Sequence, residues 1–316
     1  MNKASFEPSG VIPAALLPFY EDYNIDESAL RSHLRDIAGV AGISAITVNG
    51  HASEVSSCSF DEQRRVLDIA LDEIGGSLPI VNGVYADGSL EAARLAEMGH
   101  KAGASAHLVF PPAVFTLGQR PEMVIDHFRR IAEASDLPII AFQYPGSTGQ
   151  GYSIDTLTRL LDEIPTIRAI KDWTPSVPLH EKHIRLLTGR SRPVNVLSTN
   201  SAWLLSSLVL GCQGLLSGAG SVIANLHVDL WNAVQAQRLD EAKRVYERIR
   251  CFTDVFYSEP LVDMHNRMKV ALVLLGRLPR AVVRPPLMKL DDAEVERIRI
   301  GLVKAGWLTT DGQRAA

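Results

Sequence analysis

The sequence predicts an α/β protein, specifically a (β/α)8 TIM barrel followed by a C-terminal helical appendage. Short apolar segments alternate with segments of helical periodicity over residues 10–217, as expected for parallel βα units. The apolar segments number eight, the count at which such a sheet closes into a barrel. After residue 225 only helical patterns follow, which predicts a barrel over residues 1–225 and a helical region packed on it over 226–316.

Each predicted strand is a short apolar run bounded by Gly, Pro, Asn or Ser. The predicted strands are 11–17, 43–48, 79–84, 106–110, 137–142, 166–173, 194–198 and 214–217. The helices between them have apolar residues three and four positions apart. They are predicted at 26–38, 59–74, 89–102, 121–135, 154–164, 180–187 and 201–210. Asp26 is a candidate N-cap, and Ser59 with Glu62 forms a candidate capping box.

The C-terminal region shows four further helical patterns, at 226–236, 239–256, 264–275 and 293–305. A doubly wound open sheet is the competing fold, but it calls for a glycine-rich phosphate loop after the first strand. The segment Gly218-Ala219-Gly220-Ser221 is only a fragment of that motif, and it follows the last strand. The pattern therefore favours the barrel.

Composition narrows the functional class. The chain has 316 residues, 46% of them hydrophobic and 22% charged, with a formal net charge of −4, which gives no indication of nucleic acid binding. The three cysteines (Cys58, Cys212 and Cys251) lie far apart and form no CxxC pair. Residues 1–10 lack a signal-peptide pattern, and no apolar run is long enough for a membrane span. We therefore expect a cytoplasmic protein with no membrane or nucleic acid partner.

Lys171 follows Ala169-Ile170 in the mostly apolar strand segment 166–173, where a strand of a buried parallel sheet would run. Burial disfavours the ammonium form, so the pKa of this lysine is expected to fall toward neutrality. A neutral amine at pH 7 is a nucleophile for a carbonyl carbon. Two structural alternatives are an ion pair with Asp172 and a side chain that extends to solvent at the strand end.

Active residues of a barrel lie where the C-terminal ends of its strands meet. The segment after the second predicted strand contains Gly50, His51, Ala52 and Ser53, whose backbone N–H groups suit a carboxylate. His51 is a candidate acid–base residue with an ordinary pKa near 6.5, although an exposed loop histidine is the default interpretation. No zinc-ligand spacing and no nucleophile elbow around Ser147 are present, so no metal or cofactor is predicted.

Taken together, several motifs resemble the dihydrodipicolinate synthase / N-acetylneuraminate lyase family of Schiff-base (β/α)8 enzymes. The matching segments are the opening strand 10–19, Gly50-His51-Ala52-Ser53-Glu54, the loop 145–149, Ile170-Lys171-Asp172, the segment 214–218 and Val283-Arg284-Pro285-Pro286-Leu287. The resemblance implies the barrel fold, an imine between Lys171 and a keto acid, and a homotetramer, with residues 111–117 and the C-terminal helices as contact surfaces.

The sequence also departs from that family. The strand 5 tyrosine that assists proton transfer aligns with Phe142, and the two threonines of the strand 2 motif align with His51 and Ala52. The carboxylate-binding arginine of the synthases aligns with Ser147, and the relay tyrosine expected after strand 4 aligns near Ala113. These differences imply a divergent member rather than an authentic dihydrodipicolinate synthase or a neuraminate lyase.

The sequence therefore predicts a lyase that acts on pyruvate or a 2-keto acid, by aldol cleavage or condensation or by dehydration of a 3-deoxy-2-keto acid. The predicted catalytic residues are Lys171 and His51, with Tyr144 as helper. The predicted substrate-binding residues are Ala52, Ser53, Phe142, Ser217 and Gly218. The alternative is a barrel that binds keto acids but has lost turnover and serves as a sensor or scaffold.

Overall fold

Eight parallel strands alternate with helices in the part of the chain that the computed structural model describes, residues 6–310 and 312–313. The strands are β1 (Gly10–Pro13), β2 (Ile46–Val48), β3 (Ile80–Val84), β4 (Ala106–Val109), β5 (Ile139–Gln143), β6 (Ile167–Asp172), β7 (Asn195–Ser198) and β8 (Gly214–Ser217). The helices are α1 (Glu27–Ala38), α2 (Phe60–Ile74), α3 (Ser89–Ala102), α4 (Pro121–Ala134), α5 (Ile154–Glu163), α6 (Val177–Thr188), α7 (Leu204–Val209), α8 (Gly220–Gln235), α9 (Leu239–Phe256), α10 (Met264–Leu274) and α11 (Asp292–Lys304).

The strands form a ring in chain order, with β1 paired to β8. Isolated parallel bridges between Val11 and Ile43 and between Ala14 and Thr47 join β1 to the region of β2. Helices lie outside this ring, so both faces of each strand are covered, and every residue of β3 and β5 is buried. The predicted (β/α)8 barrel with C-terminal helices is confirmed.

The local signals at helix starts are confirmed as well. The Asp26 side chain accepts a hydrogen bond from the Ala29 amide, and Ser59 with Glu62 forms the complete capping box of α2. Both devices satisfy amide groups that have no partner inside the helix. They fix where α1 and α2 begin, and therefore where the preceding loops at the strand ends must stop.

Five predicted boundaries were wrong by three residues or more. Strand β2 begins at Ile46 rather than at residue 43, and helix α7 begins at Leu204 rather than at residue 201. The first strand ends at Pro13 rather than at residue 17, and the apolar chain beyond it stays buried as loop. Helix α6 begins at Val177, three residues earlier than expected, because Pro178 is compatible with a first helical turn and Ser176 caps it. Helix α8 begins at Gly220 rather than at residue 226, with a kink at Ile223.

The C-terminal helices are attached to the barrel by ion pairs. Arg277 pairs with Asp36 and Arg280 with Asp26, both at α1. Of the helices in the described part of the chain, none combines the length and hydropathy that a bilayer crossing requires. The domain boundary expected between residues 225 and 226 falls inside α8 and stays a prediction. The expectation that residues 1–10 form no signal peptide also stays a prediction, and residues 1–5 lie outside the described residues.

Candidate active site

Lys171 lies near the C-terminal end of β6 and faces the interior of the barrel. It is the register partner of Phe142 on β5, and its Nζ atom lies 4.1 Å from the centre of the Phe142 ring. The residue is 7% exposed, and burial lowers its pKa to about 7, because the ammonium form loses hydration. A substantial fraction of this amine is therefore neutral at pH 7 and able to attack a carbonyl carbon.

The ion pair between Lys171 and Asp172 that the sequence left open is absent. Successive side chains of a strand point to opposite faces, and the Asp172 carboxylate lies 2.8 Å from Nδ1 of both His180 and His183 on α6. Burial alone would raise the pKa of Asp172, but the hydrogen bonds from these two histidines outweigh it and hold the pKa well below its usual range. Asp172 thus attaches β6 to α6, and no carboxylate of the described residues pairs with the Lys171 amine.

His180 also joins a buried polar cluster behind β6. Its Nε2 atom lies 2.8 Å from Ser207 Oγ and 3.1 Å from Cys212 Sγ. Ser207, His180 and Asp172 follow one another as in a hydrolase triad, but all three are fully buried. A triad serine must be reachable by substrate. The cluster therefore holds strand and helices together.

The loop after β2 is fixed by a turn that requires a particular backbone. Asn49 has a positive φ of 56°, and its side-chain amide donates hydrogen bonds to the Gln63 carbonyl and to Asn82 Oδ1. A Cβ atom at Gly83 would lie 1.8 Å from the Asn49 carbonyl oxygen, so only glycine allows this close approach. The turn directs His51, two residues after Asn49, into the barrel mouth.

His51 and Tyr144 form a hydrogen-bonded pair at the mouth. Nε2 of His51 lies 2.9 Å from the Tyr144 hydroxyl, and the Tyr144 ring stacks on Phe142 with ring centres 4.5 Å apart. Burial, and next to it the charge of Lys171, lower the pKa of His51 to about 3, and burial raises the pKa of Tyr144. The expectation of a His51 imidazole titrating near 6.5 was therefore wrong, because that value assumed solvent around the ring. Both side chains are neutral at pH 7.

The backbone amides after β2 are only partly free. The Ser53 N–H donates to the Gly50 carbonyl at 3.0 Å, and the Ser53 hydroxyl donates to the Ala15 carbonyl at 2.8 Å. Within the described chain, the N–H groups of His51 and Ala52 have no protein acceptor. Two amide donors, rather than three, are thus available to a carboxylate at this turn.

Ser217 and Gly218 lie at the end of β8, as predicted. The Ser217 hydroxyl lies 3.4 Å from the hydroxyl of Tyr257, and the side chain is buried. Gly218 faces the cavity, and a Cβ atom there would lie 2.9 Å from Nε2 of His265. Glycine at this position therefore lets the His265 ring approach the end of the strand.

A cavity of about 220 Å3 opens above Lys171. Of the predicted site residues it is lined by His51, Phe142, Lys171 and Gly218. Tyr144 is reached through its hydrogen bond to His51, whereas Ala52, Ser53 and Ser217 are not among the lining side chains. The other lining residues are Trp173, Pro175, Thr199, Asn200, Ser201, Ala202, Trp203, Tyr257, Leu261, Met264 and His265.

Sequence reasoning missed most of these residues, which fall into two groups. Residues 199–203 follow β7, so the rule that barrel sites gather at strand ends could have identified them. Leu261, Met264 and His265 come from the region of α10, outside the barrel repeat, and no pattern in the sequence marks them as part of a site. The C-terminal helices thus supply one wall of the cavity.

The cavity wall is mainly apolar and carries little charge. Among the lining residues as described, Lys171 is the only lysine or arginine. Arg284 lines a neighbouring cavity but is paired with Glu62. Residues 6–310 and 312–313 contain no group of three His, Cys, Asp or Glu side chains arranged to hold a metal ion.

Comparison with known proteins connects this chain to one family. Residues 7–304 match the model of the dihydrodipicolinate synthetase family. A 4-hydroxy-tetrahydrodipicolinate synthase of Methanothrix thermoacetophila is 29% identical over 304 residues, covering 96% of this chain and 98% of that protein. The enzyme of the same name from Chlorobium limicola is 31% identical over 285 residues, covering 90% of this chain and 93% of that protein.

The fold comparison agrees. A structure described as a monomeric dihydrodipicolinate synthase variant superposes with a TM-score of 0.89 at 23% identity. The superposition covers 98% of this chain and 100% of the other. These matches span nearly the whole chain and confirm the resemblance drawn from the motifs.

Proposed function

This chain belongs to the dihydrodipicolinate synthetase family, and we propose that it is a lyase in which Lys171 forms an imine with the ketone of pyruvate or a related 2-keto acid. The observation that carries the proposal is a buried amine, without a counter-ion and with a pKa of about 7, that lines a cavity at the barrel mouth. Such an amine is the nucleophile that imine formation requires.

The imine allows two kinds of bond cleavage. Once protonated, it withdraws electrons from the neighbouring carbon, which eases loss of a proton there or cleavage of the next carbon–carbon bond. The reaction is then aldol cleavage or condensation, or dehydration of a 3-deoxy-2-keto acid. The residues at the site are compatible with all of these, and none of the steps needs a metal or a cofactor.

We assign the substrate carboxylate to the loop after β2. The N–H groups of His51 and Ala52 have no acceptor within the described chain, and oriented backbone amides of this kind bind anions. Phe142 and Gly218 line the cavity around this end of the substrate, whereas Ser53 and Ser217 stay predicted binding residues outside its lining. A carboxylate bound at this loop leaves the keto carbon free to react with the Lys171 amine.

The His51–Tyr144 pair is our candidate for proton transfer during imine formation. Phe142 has no hydroxyl, so it cannot move a proton to the departing water. The hydroxyl of Tyr144 lies 2.9 Å from His51 Nε2, and the His51 ring in turn lines the cavity. Together the two neutral groups can pass a proton between them, and His51 thereby takes the place of the first threonine of the family motif.

We further propose that the preferred substrate has no second carboxylate and that the chain is not an authentic dihydrodipicolinate synthase. Lys171 is the only cationic lining residue described, and Arg284 nearby is already paired. Ser147, which aligns with the family arginine, is not among the lining residues. A second carboxylate would therefore lack a positive partner.

The alternative, a keto-acid sensor or scaffold without turnover, is favoured by one observation, the phenylalanine at position 142. It is separated from the lyase by assaying the purified protein with pyruvate and aspartate semialdehyde, and with a panel of 3-deoxy-2-keto acids. Each reaction is followed for product by mass spectrometry. Turnover of a monocarboxylic keto acid, with none of aspartate semialdehyde, is expected. Binding of every compound without product would favour the sensor.

Two further expectations complete the proposal. By its family resemblance we propose a homotetramer, with exposed Val114 and Leu117 in the turn Ala113–Leu117 among the contact residues. The cytoplasmic location expected from the sequence stays a prediction.

A further inference from the structure

One imidazole in the cavity has no role in the imine chemistry described above. His265 lies in the first turn of α10, in the region that follows the barrel, and lines the cavity together with Lys171 and His51. Its two ring nitrogens have no protein hydrogen-bond partner within the described chain. A polar ring that faces a cavity without a partner is available to a ligand.

The position of His265 is set by its surroundings. Its Nε2 atom lies against the backbone of Gly218, where a Cβ atom would approach within 2.9 Å. One turn further along α10, Lys269 forms a buried ion pair with Glu54, in the same loop that carries His51. The Lys269–Glu54 ion pair therefore joins the helix that carries His265 to the loop that carries His51. Both imidazoles line the same cavity.

We propose that His265 is a second catalytic residue, which exchanges a proton with the oxygen on C4 of a 4-hydroxy-2-keto acid bound as the Lys171 imine. This inference rests on the proposed function. His51 is less suited to the task because its Nε2 atom is already bonded to Tyr144. His265 has both ring nitrogens free, and it lies at the end of the cavity that the C-terminal region forms.

The proposed step balances without a further reactant. Nε2 of His265 takes the proton of the C4 hydroxyl, and the oxygen electron pair forms the aldehyde carbonyl. The C3–C4 bond breaks, and its electrons form the C2–C3 double bond of the enamine while the iminium nitrogen becomes neutral. His265 passes its proton to solvent, and the enamine takes a proton from solvent at C3, which regenerates the iminium. Addition of one water then releases pyruvate and the Lys171 amine in its protonated form. Condensation is the same sequence in reverse.

The electrostatics of the site agree with a proton acceptor at His265. Burial, followed by the neighbouring titratable groups of His51, Lys171 and Lys269, lowers the pKa of His265 to about 3, so the ring is neutral in the free chain. A bound substrate brings a carboxylate, and a nearby negative charge raises the pKa of an imidazole. The ring is thus unprotonated before the substrate binds, as a proton acceptor must be.

The test separates imine chemistry from carbon–carbon chemistry. Exchange of the pyruvate methyl protons in deuterium oxide, followed by NMR, requires the Lys171 imine and its enamine but no aldehyde. Joining pyruvate to glycolaldehyde, glyceraldehyde or benzaldehyde requires the C4 oxygen as well. Both are measured for the wild type, His265→Ala, His265→Gln and the exposed control His100→Ala. A borohydride-trapped pyruvate adduct on each variant shows that it is folded.

We expect both His265 variants to keep methyl exchange near the wild-type rate and to lose roughly 10²- to 10⁴-fold in joining pyruvate to an aldehyde. The assignment is overturned if aldehyde joining is unchanged, or if exchange falls by the same factor. It is also overturned if the wild type exchanges protons but joins none of the aldehydes. Failure of the wild type to form a pyruvate adduct would instead contradict the proposed function.

Discussion

At the scale of single residues, the central feature is an amine that is buried without an ion pair. The strand partner of Lys171 is an aromatic ring, and the adjacent carboxylate of Asp172 is directed to α6. A neighbouring carboxylate would raise the lysine pKa and keep the amine protonated, whereas burial alone lowers it. The orientation of Asp172 away from the cavity is therefore as important to reactivity as the burial of Lys171.

The pKa of Lys171 sets the pH dependence of imine formation. With a pKa of about 7, the neutral amine fraction rises as pH increases through 7 and is nearly complete at pH 9. We expect the rate of pyruvate adduct formation to rise and then level off over that range. A rate that keeps rising to pH 10 or above, measured by quenched-flow trapping, would show an ordinary lysine and contradict this account.

His51→Ala is expected to lower turnover by roughly 10²- to 10⁴-fold, since it removes the imidazole that connects Tyr144 to the cavity. Tyr144→Phe should have an effect in the same direction, and the double variant should lose less than the product of the two factors. Steady-state kinetics with the preferred keto acid measure all three. If His51→Ala turned over at the wild-type rate, a group other than His51 would have to transfer the proton.

Some of these residues could be predicted from the sequence and others could not. The burial of Lys171 and its lowered pKa follow from its place in an apolar strand segment. The depressed pKa of His51 does not, because it depends on rings that pack around the imidazole only after the barrel has formed, such as Phe110 at 4.8 Å. His265 is unpredictable for a similar reason, since its helix reaches the site through tertiary packing.

At the scale of elements, the loop after β2 depends on α10. Glu54 has a positive φ of 51°, and its carboxylate accepts hydrogen bonds from Lys269 Nζ and from the Arg284 amide. The Lys269 amine also donates to the Val282 carbonyl at 2.8 Å. A strained loop conformation of this kind persists only when its surroundings hold it. The C-terminal helices thus fix the loop that carries His51.

Lys269→Met is expected to lower the free energy of unfolding by about 3–5 kcal/mol, because it leaves the buried Glu54 carboxylate without its partner. The matched control is Lys101→Met, which breaks an exposed pair with Glu97 and should cost less than about 1 kcal/mol. Urea unfolding measures both. Equal small losses in the two variants would show that Glu54 does not depend on Lys269.

The elements themselves were largely predictable, because caps and apolar periodicity act over short distances. Helix α3 and helix α9 begin and end where the sequence predicted, at Ser89–Ala102 and Leu239–Phe256. The start of α8 was not predictable, since the segment 220–225 is helical because it packs beside β1 at Pro13, which the local pattern does not encode.

At the scale of the whole molecule, the ring of strands brings distant segments to one cavity. β1 and β8 pair although about two hundred residues separate them. The cavity combines Phe142 of β5 and the loops after β2, β6, β7 and β8 with the region of α10. The number of predicted strands was sufficient to infer the ring. The wall formed by the C-terminal helices was not inferable, because their packing is not repetitive.

The assembly of subunits into an oligomer is also a property of the whole molecule. Leu117 is 89% exposed and Val114 is 50% exposed, both in the turn Ala113–Leu117. If this turn forms a subunit contact, Leu117→Asp will place a charge in it and shift the homotetramer toward smaller species, whereas Leu90→Asp, at an exposed leucine of α3, will not. Light scattering at micromolar concentration measures the shift. A wild type that is only monomeric would contradict the proposed assembly.

The measurement that tests the central claim most directly is the mass of the intact protein after incubation with pyruvate and borohydride. We expect one reduced pyruvyl group per chain, assigned to Lys171 by peptide mapping. The adduct should be absent from Lys171→Ala and present in the control Lys101→Ala, whose lysine is exposed. No adduct on the wild type, or an adduct on a different lysine, would contradict the assignment of Lys171 as the imine-forming residue.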